Sequence, residues 1–171
     1  MNGFRAAAVG VLAVALAWAQ GAAAQEKDNQ AVEAAKQLGF RTCAKTVSVL
    51  TDFIYGKDSF SYVNTYNTKE IDRHALLMLT SKPYSDGTSV AAVTTSPTPA
   101  GTCDGTFVQV FMIAESCPKL RDTTFQQWKY YMDLGGVALY EDPSSDSLVV
   151  ALASVPSGCL IVKTGMIFNM P

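Results

Sequence analysis

Two hydrophobic rhythms alternate along this chain. Cys43, Val47, Leu50 and Ile54 recur at spacings of four, three and four, which lines one face of a helix that Gly56 should end. The stretch before it, residues 28–38, is rich in Ala, Glu, Lys and Gln and is predicted helical too, with Gly39 as the interruption. Residues 57–73 are polar and aromatic without clean periodicity, and read as a long connection with at most one short strand. From residue 75 the pattern shortens. Residues 75–81 are a compact apolar run, 88–95 are rich in Val and Thr, and 106–114 form a third strand, separated by Ser85-Asp86-Gly87 and by Pro97, Pro99 and Gly101, as in a meander. Ser116 can cap the start at Pro118. Thr123 with Gln126 resembles a capping box, which predicts a helix over residues 124–134 with Phe125, Trp128, Tyr131 and Met132 as its core stripe. Gly135-Gly136 closes it, and residues 137–141, 148–154 and 159–168 supply three more strands.

The expected architecture is a single α+β domain. An antiparallel β-meander of about six strands carries two main helices packed on one face, stapled by disulfides. The order helix, three strands, helix, three strands suggests two repeats, because in each triplet a Pro and Gly linker delivers a cysteine into the last strand. On that reading residues 57–73 have no counterpart, and an insertion into a repeated scaffold is a natural place for function.

Several strands are apolar on both faces. In residues 106–114, Val108, Val110 and Met112 point one way while Phe107, Phe111 and Ile113 point the other. Two helices with one apolar stripe each can cover about one face of such a sheet. Local chain, a protein partner, a second copy forming a homo-dimer, or an apolar ligand must cover the remainder.

The chain's beginning changes the picture of where it works. Arg5, an uncharged apolar run over residues 6–18 and the small residues Ala22-Ala23-Ala24 make residues 1–24 a signal peptide, cleaved before Gln25. That leaves a domain at 25–171 with no integral membrane span and a periplasmic or secreted location. The formal charge of the whole chain is −2, and no basic run or interleaved Arg and aromatic pattern occurs, which argues against nucleic acid as a partner.

All four cysteines, Cys43, Cys103, Cys117 and Cys159, lie beyond the cleavage point, and an even count in an exported chain favours two disulfides. Cys103 and Cys117 bracket one strand, too far apart to bond each other. Of the two remaining pairings, Cys43 with Cys103 and Cys117 with Cys159 is preferred, since each bond then staples a helix to the hairpin that follows. With no CxxC spacing and His74 as the single histidine, no metal site is expected.

Chemistry is sparse. His74 with Asp72 or Glu70 is the one arrangement from which a hydrolase could be built, but no GxSxG turn accompanies it. Glu141, Asp142 and Asp146 read as solvated turn residues, and no phosphate-cradling loop implies a cofactor. The residues singled out for recognition are Phe60, Tyr62, Asn64 and Tyr66, because Tyr and amide side chains on a connection give large contact area at low entropic cost. The function these features favour is an exported, non-enzymatic protein-binding module, an inhibitor, an immunity-type protector or an envelope-assembly component. The alternative is a carrier of a small apolar ligand, and the third reading is the His74 hydrolase.

Overall fold

The computed structural model describes residues 29–171, so the expected signal peptide lies outside the described residues. Helix α1, Gln30–Leu38, begins where the Asn29 side chain accepts a hydrogen bond from the Val32 amide, and stops at Gly39, whose φ of 95° closes the last turn in the left-handed region. Helix α2 spans Ala44–Tyr55 and buries Val47 and Leu50, the stripe its spacing predicts.

The strands are β1 Ser61–Thr65, β2 Leu76–Tyr84, β3 Gly87–Pro97, β4 Cys103–Ile113, β5 Lys129–Leu134, β6 Val137–Glu141, β7 Leu148–Val155 and β8 Gly158–Met170. They form one antiparallel sheet in the order β1-β2-β3-β4-β8-β7-β6-β5. Eight strands replace the expected six. Part of the difference is β1, a short edge strand inside the aromatic connection. The rest is β5, which occupies residues expected to be helical. Helix α3 is Cys117–Thr123 instead, opened by Ser116 and Pro118. The Gly135-Gly136 pair, both at positive φ, folds β5 back onto β6 as a hairpin turn rather than ending a helix. Thus Phe125 is buried and Trp128 half-buried, but Tyr131 and Met132 stand exposed on a strand.

Each half of the chain is a helix followed by a four-strand meander, and the two meanders join through β4 and β8. The disulfides occupy equivalent places. Cys43, at the start of α2, bonds Cys103 at the start of β4, and Cys117, at the start of α3, bonds Cys159 at the start of β8. The expected helix-plus-three-strand units are thereby corrected to a helix and four strands each. Strand β5 is the counterpart of β1, so residues 57–73 are not wholly an insertion; α1 and the 66–75 link between β1 and β2 are what the second half lacks.

All three helices lie on one side of the sheet. Val47 and Leu50 pack with Leu76, Met78, Val93 and Phe107, while Leu120 and Phe125 pack with Val150, Leu152 and Ile161. Gly105 makes the approach of α2 feasible, since a Cβ there would stand 2.7 Å from Thr46 Cγ2 and 2.8 Å from Leu50 Cδ1. Among the described residues no helix is long and apolar enough to cross a membrane.

Candidate functional site: the open face of the sheet

Strand alternation sends every second residue to the side away from the helices, and there Val, Leu, Ala and Met predominate, with Ser81, Thr94 and Ser96 interspersed on β2 and β3. Val63, Leu79, Val90, Val108, Met112 and Met166 all lie on this side, each between 41 and 59 % exposed. Ala92, Val110, Val162 and Ala151 fill the positions between them. No outward residue of the four middle strands is buried, although those strands lie deep inside an eight-stranded sheet. Thr106 and Thr164 spend their hydroxyls on the carbonyls of Gly165 and Phe107, each at 3.0 Å, so the seam adds little polarity. Among the described residues, charged side chains reach this face only at its rim, at Asp104 near one end of β4 and at Lys129 opposite Glu141.

The aromatic connection is placed differently from a free recognition loop. Phe60 stacks on Tyr55 at 4.6 Å between ring centroids and, with Tyr66, packs against the first core cluster. Asn64 is partly buried, with its Oδ1 lacking a hydrogen-bond partner among the described residues. Tyr62 is exposed, near the edge of Phe60. Tyr62 and Asn64 point to the helix side of β1, away from the apolar face to which Val63 belongs.

His74 is exposed and sits 3.4 Å from Glu70 across a single 3-10 turn, Ile71–Arg73. Asp72 is committed elsewhere. Its Oδ1 accepts from the backbone amides of Arg41 and Thr42 at 2.6 and 2.7 Å, tying the turn to the start of α2. Partial burial pushes its carboxyl up, but those backbone bonds outweigh it and hold it below the ordinary value. Asp142 caps its own turn through the Ser144 hydroxyl and amide, and those bonds lower its carboxyl. No group of three or more His, Cys, Asp or Glu among the described residues is placed to hold a metal ion.

Several clefts open on the helix side, among them two that matter for chemistry. One, of about 540 Å³, lies between α3 and the β5–β6 hairpin, lined by Arg121, Asp133, Tyr140 and Leu152. The other, of about 280 Å³, is floored by Ser89, Gln109, Phe111 and Lys163. Burial lowers the Lys163 ammonium, which lies 4.5 Å above the Phe53 ring, while Asp142 acts weakly to raise it. Sequence reasoning missed Lys163. It stands in an apolar strand where a lone charge looks like an ordinary wet position.

The chain matches no protein-family model, no curated protein and no solved structure. Function is therefore argued from the surface alone. The two disulfides fit an oxidising compartment such as the periplasm or the extracellular space.

Proposed function

We propose that this chain is an exported, non-enzymatic protein-binding module that docks a polypeptide on the open face of its sheet. The observation that carries the reading is the continuous apolar surface from Val63 through Val108 to Met166, exposed and without charge except at its rim. Contiguous apolar surface of this extent marks an interaction site in a folded domain. The aromatic residue left for recognition on the other side is Tyr62, so the reading moves weight from Phe60, Asn64 and Tyr66 to the sheet.

Carriage of a small apolar ligand finds less support. The space between sheet and helices is filled by Val47, Leu50, Leu76, Met78, Val93 and Phe107. The reading gives His74 no catalytic role, since its carboxylate neighbour shares an exposed turn.

The test is affinity capture from native envelope extract with the exported, oxidised chain as bait, read by mass spectrometry. Leu79→Lys on the open face should abolish stoichiometric capture of protein, and Tyr62→Ala should leave it within about two-fold, as expected for a residue outside the docking centre. Capture lost with Tyr62→Ala and retained with Leu79→Lys would return the site to β1.

A further inference from the structure

We infer that the occupant of the open face is a second copy of this chain, packed face to face so that two eight-stranded sheets make a sandwich. The inference rests on the reading of that face as the docking surface and names what docks there.

Area is the first argument. Eight strands at about 4.8 Å make the face roughly 34 Å wide, and about six residues of alternating outward positions at about 3.3 Å make it roughly 20 Å tall. The product is roughly 700 Å² per copy, close to the ~800 Å² a side of a stable protein interface. A second copy brings a surface of the same size and polarity.

Relief is the second. Ala92, Val108, Thr164 and Val149 lie side by side across the four middle strands. These side chains are short or β-branched, so the middle is low and even, which is what two sheets approaching to about 10 Å require. Larger side chains flank this row, Leu79 beside Ala92 on β2 and Met166 one outward position beyond Thr164 on β8.

Charge is the third. With Asp104, Lys129 and Glu141 confined to the rim, a copy buries no like charge at the centre. A lipid surface fits less well: the chain carries a net charge of −2 and the face has no surrounding ring of Lys or Arg to meet anionic headgroups.

The experiment is sedimentation equilibrium of the oxidised, exported chain, with Val108→Lys and Met112→Lys as variants. The wild type should sediment at the mass of two copies at about 100 µM, where an interface of this size is expected to be occupied. Each variant, with both disulfides intact and an unchanged circular dichroism spectrum, should weaken the dimer at least about 100-fold, because it buries an unpaired ammonium in each copy. A variant that does not fold leaves the wild-type mass as the deciding measurement. A wild type at the mass of one copy overturns the inference, as does a dimer that survives both lysines. Leu79-dependent capture of a different protein by such a monomer, or its flotation with vesicles of neutral and anionic phospholipid, would also overturn it. Protein capture would leave the binding-module reading standing; flotation would replace it with a lipid surface.

Discussion

Val108 lies directly opposite Thr164 across the β4–β8 ladder, and each stands five residues beyond the last cysteine of its own half. Positions at the same distance from the last cysteine of each half are therefore each other's partners. The relationship orders the whole sheet: each meander begins at an outer edge and ends at the β4–β8 seam.

Phe107 and Lys163 stand one position earlier in each strand, four residues beyond Cys103 and Cys159. Phe107 packs over Gly165, whereas Lys163 lies beside Gln109. A Cβ on Gly165 would meet Phe107 Cε1 at 2.6 Å, so Gly165→Ala should lower stability by about 1–3 kcal/mol through overpacking. Denaturant unfolding of Gly165→Ala, Phe107→Leu and the double variant checks the cause: the double variant should be more stable than the two separate losses predict.

The two disulfides close loops of similar length, 60 and 42 residues of sequence separation. Chain-entropy reasoning gives each about 4 kcal/mol. On chain entropy alone, replacing Cys43 and Cys103 together with Ala would lower the unfolding midpoint about as much as replacing Cys117 and Cys159 together. The second pair should lose more in practice, because α3 is only seven residues long and its burial is confined to Cys117 and Leu120. Thermal unfolding followed by circular dichroism separates the two cases.

Lys163 supplies a pH prediction. Its ammonium titrates below the ordinary 10.5 because burial disfavours the charge. The native state then carries a full desolvation cost below the folded pKa, and stability rises with pH between that value and 10.5. Lys163→Met should be more stable than wild type at pH 7, by at most about 1 kcal/mol since the lost contact with Phe53 offsets part of the gain. The advantage should shrink as pH rises toward 10.5. A difference that stays constant across that interval would show that Lys163 keeps full hydration.

Helix α2, the meander turns, the cysteine pairing and the doubly apolar strands were legible in the residues themselves. Each depends on neighbours in sequence or on a strict period: a stripe at 3.6, a Gly or Pro at a turn, an even number of thiols placed at the starts of helices and strands. Strand β5 was not legible. Phe125, Trp128, Tyr131 and Met132 satisfy a helical stripe, and only pairing of Lys129–Leu134 with Val137–Glu141 favours extension at Tyr131 and Met132. Tyr66 also looked free in sequence, whereas the first core recruits its ring.

By itself the sequence determined that this is a disulfide-bonded α+β chain with more apolar strand surface than its helices can cover. Tertiary structure alone decided where the uncovered surface lies. All three helices lie on the same side, where the lack of a Cβ at Gly105 lets α2 close on the sheet and the short link 114–116 returns the chain from β4 to α3. The other side is left to the outward half of every strand, and alternation across eight paired strands turns scattered Val, Leu and Met residues into one continuous face.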